Sequence, residues 1–276
     1  MGITRKAKTF INIIIKNIRR PEMRILSGQL AFYFVLMLAP ILALFGNIIS
    51  FFNLSGELVG SVLIEHLPKE IGDLIVNLSR SSGLQASNML FIVFTLFLAS
   101  NGTYSMVVAS NSIYKVKSHG YLKDRVKAVV MLLYLLLLFI IMFLLPGFGN
   151  KLFGIITAVA DIEVGPFVIF AFESVKLLLS FLLIFLLVKI LYIMAPDMKI
   201  KSKHSNYGAL FTSIVWILAT VIFASYVSNF ASYATFYSSL SNIIILMLWM
   251  YILAYVFVLG MSLNASIYEV ESEKHN

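Results

Sequence analysis

Long apolar runs without charged side chains dominate the pattern of this chain. The longest run, residues 204–268, contains no Asp, Glu, Lys or Arg. Because a helix needs about 20 apolar residues to cross the hydrocarbon core, this run predicts two crossings with a turn between them. Three further runs also lack charged residues: 25–56, 81–114 and 128–150. A fifth candidate, 167–188, is interrupted only by Glu173 and Lys176.

The predicted fold is all-α, a polytopic membrane protein with six transmembrane helices in a single membrane domain, 1–276. Unbroken apolar blocks such as 131–145 lack the alternation expected of the strands of a transmembrane β-barrel. The six helices are expected over about 25–52, 86–114, 128–150, 167–193, 207–229 and 240–268, followed by a tail, 269–276.

Two segments outside these spans have an amphipathic pattern. In residues 1–24, apolar side chains recur at helical spacing beside basic ones, which predicts a helix lying in the cytoplasmic interface and ending at Pro21. Between the first two spans, apolar and acidic residues are mixed on either side of Pro68. Short helices in the outer leaflet are expected there, and a simple hydrated loop is the alternative.

The distribution of basic residues predicts the orientation. Of the 21 Lys and Arg residues, 17 fall on one predicted side of the membrane and three on the other. The positive-inside rule therefore places both termini in the cytoplasm. The same asymmetry accounts for the net charge of +8 without nucleic acid, and it predicts that membrane lipids with anionic headgroups are partners at the cytoplasmic face. Oligomeric state is left open.

Polar residues within the predicted spans fall into layers. At about 1.5 Å of rise per residue, one layer lies near the cytoplasmic level and another near the middle of the membrane. Such side chains commonly hydrogen-bond between membrane helices, and lining a substrate groove is the other interpretation. The groove candidates in these layers are Gln29, Tyr33, Pro40, Asn101, Asn111 and Asn264.

Glu173 and Lys176 are the charged residues least expected inside a span. They are three residues apart on the fourth predicted helix, and Lys176 lies about 15 Å below Pro166. A charge at mid-membrane costs at least about 2.5 kcal/mol, so such residues usually pair or line a hydrated cavity. We expect a cavity-lining role; a self-neutralising pair and a lysine that snorkels outward are the alternatives.

Aromatic residues recur at spacings of three and four along the end of the fifth predicted helix. This spacing places five rings on one helical face near the outer interface. An aromatic belt at the interface is one interpretation, and the wall of an outward-facing groove is the other. The residues of this face are Phe223, Tyr226, Phe230, Tyr233 and Tyr237.

Catalytic motifs are missing from the sequence. The four histidines are scattered without a metal-binding spacing, and there is no nucleophile elbow or phosphate-binding loop. The acidic residues lack the clustering that a metal-dependent nuclease requires. The absence of cysteine excludes disulfides and thiolate metal sites. We expect no enzyme activity, ribonuclease included, no metal and no cofactor.

Several short motifs, in order along nearly the whole chain, resemble the YihY/virulence factor BrkB family of bacterial inner-membrane proteins, formerly mislabelled ribonuclease BN. The first helix contains Gln29-Leu30-Ala31-Phe32-Tyr33 and Ala39-Pro40, and the second contains Ala99-Ser100-Asn101-Gly102 with Asn111 and Tyr114. The later motifs are Ala195-Pro196, Tyr207-Gly208-Ala209, Trp216, Tyr226, Phe230, Tyr233, Tyr237, Trp249 and Gly260-Met261-Ser262-Leu263-Asn264-Ala265.

Two positions depart from the pattern of this family. Ser238 stands where members commonly have Gly, and Ser262 stands where they commonly have Glu. The resemblance implies a six-helix protein of the bacterial inner membrane, with transport of lipids or other solutes proposed for some relatives. We therefore expect a transporter that moves a lipid or another amphiphile through a polar groove. A small-solute or ion transporter and a non-transporting scaffold for envelope assembly are the alternatives.

Overall fold

The structure, a computed structural model, describes residues 15, 21–51, 86–159, 165–230 and 238–273. These parts of the chain contain helices and no strand. The helices are α1 (Pro21–Phe51), α2 (Ala86–Tyr114), α3 (Tyr121–Val159), α4 (Pro166–Met194), the 3₁₀ helix Ser202–Ser205, α5 (Asn206–Phe230) and α6 (Ser238–Glu273). Most of the predicted N-terminal helix and the predicted outer-leaflet helices lie outside the described residues, as do Tyr233 and Tyr237.

Five helices in the described part of the chain are long and apolar enough to cross a membrane: Pro21–Leu44, Ile92–Tyr114, Pro166–Met194, Ser202–Phe223 and Ile244–Glu269. They correspond to five of the six spans that the sequence predicts. The remaining predicted span, 128–150, lies within α3, where most side chains beyond 141 are not described. The all-helical membrane fold is therefore confirmed, while the count of six spans stays a prediction.

Helix α3 begins at Tyr121, earlier than the sequence predicted. Residues 121–127, expected in a loop, are helical. Gly120 precedes them with a φ of 105°, a conformation that glycine adopts without steric cost. The backbone N–H of Asp124 then donates to the Gly120 carbonyl at 3.1 Å. Pro21 is the first residue of α1, and the prediction that it ends the preceding helix falls on residues outside those described.

Residue contacts divide the chain into two compact units. Unit 1 comprises Met1–Leu36, Asn101–Met131 and Ile184–Asn276. Unit 2 comprises Met37–Ser100 and Leu132–Leu183. The single membrane domain expected from sequence stays a prediction.

The interior of unit 1 depends on a close approach of α5 and α6. A side chain at Gly208 would meet the Gly260 carbonyl and the Asn264 amide, and one at Gly260 would meet the hydroxyls of Thr212 and Tyr192. Those two hydroxyls are 2.7 Å apart, and the buried Tyr192 also donates to the Phe257 carbonyl at 2.7 Å. Small residues thus allow the two helices to approach, and hydrogen bonds to the exposed backbone hold them together.

We predict that Gly260→Ala destabilises the protein by at least about 1–3 kcal/mol, the usual penalty for overpacking. The added methyl group would separate Thr212 from Tyr192. The matched control is Gly28→Ala in α1, because nothing lies within 4 Å of a side chain added there. Thermal unfolding in detergent should show a lower midpoint for Gly260→Ala and an unchanged or higher midpoint for Gly28→Ala. Equal midpoints for the two variants would contradict the close-packing argument.

Candidate functional site

Asp197 is the centre of a polar cluster in unit 1. Its carboxylate accepts hydrogen bonds from the Lys127 ammonium at 2.6 Å and from the Asn111 amide at 2.7 Å. Its own backbone N–H donates to the Asn111 side-chain oxygen at 2.8 Å. His119 adds its backbone N–H at 3.3 Å and its ring Nδ1, which lies 3.2 Å from the carboxylate. We call Asn111, His119, Lys127 and Asp197 the Asp197 cluster.

This cluster joins segments that are far apart in sequence. Asn111 lies in the last turn of α2, His119 in the following turn, Lys127 in α3, and Asp197 in the connection between α4 and α5. Lys127 also donates to the Pro196 carbonyl at 2.9 Å, so its ammonium binds two successive residues of that connection. The cluster therefore fixes the connection that precedes α5 against the α2–α3 hairpin.

The surroundings of Asp197 keep it ionised. Its side chain is only 3% exposed, and burial alone would raise its pKa. The hydrogen bonds from Lys127, His119 and Asn111, together with the charge of Lys127, outweigh burial and hold the pKa well below its usual range. At neutral pH, the ionised Asp197 therefore holds the connection before α5 against Asn111 and Lys127.

Asn101 lies in a second polar contact of unit 1. Its side-chain oxygen accepts a hydrogen bond at 2.8 Å from the guanidinium of Arg125, which is buried. The guanidinium also lies 5.6 Å from the centre of the Tyr104 ring, and Thr103 donates to the Ala128 carbonyl at 2.7 Å. Asn101 therefore joins α2 to α3 in this structure.

Asn264 holds the beginning of α5. Its side-chain oxygen accepts from the Gly208 N–H at 2.7 Å, and its amide nitrogen donates to the Ser205 carbonyl at 3.4 Å. Asn264 is fully buried in α6, so both contacts are made away from solvent. One side chain thus fixes the backbone on both sides of residues 206 and 207.

Glu173 and Lys176 form an ion pair on α4, within unit 2. Their charged atoms are 2.9 Å apart, and the Lys176 ammonium also lies 5.2 Å from the centre of the Phe172 ring. The Glu173 side chain is 57% exposed and that of Lys176 is 23% exposed. The pair that the sequence analysis gave as an alternative is therefore present, on a helix apolar enough to cross a membrane, and the expected cavity-lining role stays a prediction.

The other predicted groove residues do not join these clusters. Gln29 is exposed on α1, Tyr33 is half-buried with its ring edge-on to Phe32, and Pro40 is half-buried inside α1. The backbone of Tyr226 belongs to α5, but its side chain is not described. A role for these residues and for Tyr233 and Tyr237 in a groove stays a prediction.

Sequence reasoning missed Asp197, Arg125 and Lys127 as site residues. The predicted spans place Arg125 and Lys127 in the connection before the third helix, whereas in the structure they lie in the first turns of α3. A signal for Asp197 was present, because it is the only acidic residue between Glu173 and Glu269 and lies among lysines. A lone carboxylate in such a segment indicates a specific ionic partner.

A family model described as virulence factor BrkB matches residues 14–276. The chain belongs to the BrkB virulence factor family. The sequence resemblance is thereby confirmed. The match includes the Asp197 cluster, the Asn264 contact and the ion pair on α4.

Individual relatives of this BrkB-family protein carry two kinds of name. A ribonuclease-like protein of Bacillus subtilis, YfkH, is 28% identical over 88% of this chain and 89% of its own length. A UPF0761 membrane protein of Histophilus somni is 22% identical over 98% of this chain and 94% of its own length. A UPF0761 membrane protein of Aggregatibacter aphrophilus is 25% identical over 97% of this chain. No solved structure matches the chain.

We predict that Asp197→Asn lowers the stability of this BrkB-family protein at neutral pH by about 2–3 kcal/mol, since Lys127 would lose its buried partner. Because the folded pKa of Asp197 is depressed, its ionised form stabilises the fold above the ordinary aspartate pKa of about 4. This contribution is lost as the pH falls below about 4, so the variant should approach wild-type stability in acid.

Thermal unfolding in detergent between neutral and acidic pH would measure this difference. Glu269→Gln is the control, because Glu269 forms an exposed pair with Lys115 at 3.3 Å, and exposed pairs contribute at most about 1 kcal/mol. A gap between wild type and Asp197→Asn that stayed constant down to the lowest pH would show that ionisation of Asp197 is not the source of the stability.

Proposed function

We propose that this BrkB-family protein moves a lipid or another amphiphile across the bacterial inner membrane. The headgroup passes along polar side chains while the acyl chains remain in the bilayer. The observation that supports this proposal is the Glu173–Lys176 pair on α4, in which the Glu173 side chain is 57% exposed. The neighbours of the pair on the same helix, Phe170, Val175 and Leu177, are large exposed apolar residues suited to lipid.

The energetic argument starts from the cost of an ionised group in hydrocarbon. Insertion scales put this cost at about 2.5–3.5 kcal/mol per charge, and pairing offsets only part of it. Two leucines at these positions would avoid the cost altogether. A polar passage beside α4 gives the exposed carboxylate a hydrated environment and gives a passing headgroup a donor and an acceptor.

The same pair also suits the path of a small solute or an ion, which makes a closed transporter the first rival proposal. The second rival, an envelope scaffold, is supported by a different observation. The side chains of three asparagines form hydrogen bonds between segments of the protein: Asn101, Asn111 and Asn264. In a scaffold these contacts would be sufficient, and no headgroup would need them.

RNA hydrolysis, suggested by the name of the Bacillus relative, is not our proposal. In the described part of the chain no group of three or more His, Cys, Asp or Glu residues is positioned to hold a metal ion. Asp197, the buried carboxylate of the candidate site, is engaged by Lys127 and Asn111. Neither observation supplies a nucleophile or a general base.

Transport can be measured with purified protein in liposomes that contain a fluorescent phospholipid and an impermeant external quencher. We predict that wild type exposes the inner-leaflet probe to the quencher, and that Glu173→Gln/Lys176→Met slows this about tenfold, as expected for losing roughly 1.4 kcal/mol of headgroup interaction. The double variant removes both charges together, so neither is left without its partner.

Ser174→Ala is the matched control, because Ser174 lies between the two charged residues and donates only to the Phe170 carbonyl of its own helix. Wild-type rates in the double variant would show that the pair is structural. Equal rates in empty and protein-containing liposomes, across several headgroups and with and without an ion gradient, would favour the scaffold.

Both termini are proposed to lie in the cytoplasm, on the basis of the asymmetric distribution of basic residues. The chain contains no cysteine, so single cysteines report topology directly. We predict that an impermeant thiol reagent labels Ser82→Cys in intact cells and leaves Ser202→Cys, which is exposed in the structure, unlabelled until the cells are permeabilised. Labelling of Ser202→Cys from outside would overturn the orientation.

A further inference from the structure

A pocket lies at the beginning of α5, away from the ion pair on α4. It has a volume of about 330 Å³ and is lined by Lys203, His204, Asn206, Tyr207 and Leu210. All five residues belong to unit 1 and lie within eight positions of the chain. Lys203 is basic, His204, Asn206 and Tyr207 carry polar groups, and Leu210 is apolar. The lining therefore suits an anionic group attached to an apolar one.

Lysines are concentrated in the segment that leads into this pocket. Lys199, Lys201 and Lys203 are all exposed in the segment that leads into it. The sequence contains no acidic residue from 198 to 268. The segment therefore presents a local positive potential that attracts anions.

An exposed apolar stripe begins at the pocket and continues along α5. Its members recur at spacings of three and four residues, so they share one face of the helix. They lie within Ser202–Phe223, a helix that is long and apolar enough to cross a membrane. The stripe consists of Tyr207, Leu210, Ile214, Leu218 and Val221. Tyr207, which is 54% exposed, has the aromatic ring and hydroxyl that suit the boundary between headgroups and acyl chains.

The backbone of the pocket is held in place by α6. Asn264 binds the Ser205 carbonyl and the Gly208 N–H, on either side of the lining residues Asn206 and Tyr207. The ring of His204 packs edge-on against Tyr268, with 5.7 Å between ring centres. A pocket whose walls are fixed before binding loses little conformational entropy when a ligand enters.

We infer that this pocket binds the phosphate headgroup of an anionic phospholipid, with an acyl chain lying along the α5 stripe. Lys203 supplies the charge, Asn206 and Tyr207 supply polar contacts, and Leu210 begins the apolar path. The stripe is the reason for choosing a lipid rather than free phosphate as the ligand. This binding is separate from the proposed transport, because it needs neither the α4 ion pair nor movement across the bilayer.

The test measures lipid binding and requires no transport activity. Detergent-solubilised full-length protein is titrated with a short-chain phosphatidylglycerol, with phosphatidylcholine of the same chain length as the uncharged control, and binding is followed by native mass spectrometry. Lys203→Gln should weaken phosphatidylglycerol binding about fivefold, as expected from losing one lysine near a headgroup. The matched control is Lys201→Gln, which removes the same charge from an exposed lysine outside the pocket lining.

A second variant separates the pocket from diffuse attraction to charge. Asn206→Trp places a large ring at a lining position and leaves the net charge unchanged, so it should weaken binding about as much as Lys203→Gln.

Equal losses in Lys203→Gln and Lys201→Gln, together with wild-type binding in Asn206→Trp, would overturn the proposal that the pocket is the binding site. Equal binding of phosphatidylglycerol and phosphatidylcholine would overturn the charge argument. Competition by millimolar inorganic phosphate would overturn the choice of a lipid. Because liposome transport can fail while this binding persists, the two proposals fail independently.

Discussion

The ion pair and hydrogen bonds of the Asp197 carboxylate are the constraint that connects the α2–α3 hairpin of unit 1 to the segment before α5. An ionised group that is 3% exposed is stable only when its oxygens are occupied by donors, and here Lys127, Asn111 and His119 occupy them. These residues come from the end of α2, the next turn and the start of α3, so satisfying one carboxylate fixes three segments at once. The 3₁₀ helix and α5 follow Asp197 within a few residues, and the cluster thereby sets where α5 begins.

In the contact between α5 and α6, buried polar groups also find hydrogen-bond partners, and here close helix packing brings those partners together. In hydrocarbon, apolar side chains gain nothing from leaving lipid, so helices associate through close packing and hydrogen bonds. Gly208 and Gly260 bring the two backbones close enough for Asn264 to bind the start of α5 and for Tyr192 to bind α6. Trp216 adds a hydrogen bond from its ring N–H to the Leu253 carbonyl at 2.9 Å. Stability here comes from a few polar contacts in a closely packed setting.

The family of this chain and its apolar helices both indicate a multi-pass membrane protein. The transport activity and the lipid binding are our proposals. The structure assigns the three asparagines to contacts between protein segments, whereas the charges of α4 and the pocket of α5 retain exposed groups. We therefore base the proposed transport on Glu173 and Lys176, and the proposed lipid binding on Lys203 and its neighbours. In the described part of the chain, no group of three or more His, Cys, Asp or Glu residues is positioned to hold a metal ion.

The sequence by itself determined the all-helical class of fold, the approximate bounds of five spans and the family. These features are local, because a helix in lipid must satisfy its backbone from within its own segment and must be apolar along its length. The ion pair between Glu173 and Lys176 was also predictable as one of the alternatives, since its members are three positions apart on one helix. The early start of α3 was not, because it depends on the conformation of Gly120.

The tertiary structure alone decided which polar residues meet. Asn111 and Asp197 are 86 positions apart, and no periodicity in either segment relates them. The basic side chains of Arg125 and Lys127 carried an orientation signal in the sequence, and the fold additionally directs Arg125 to Asn101 and Lys127 to Asp197. Asn264 could equally have lined a groove or joined two helices. Only the proximity that Gly208 permits makes it the residue that positions α5, because a buried amide bonds to whichever backbone groups the packing brings within reach.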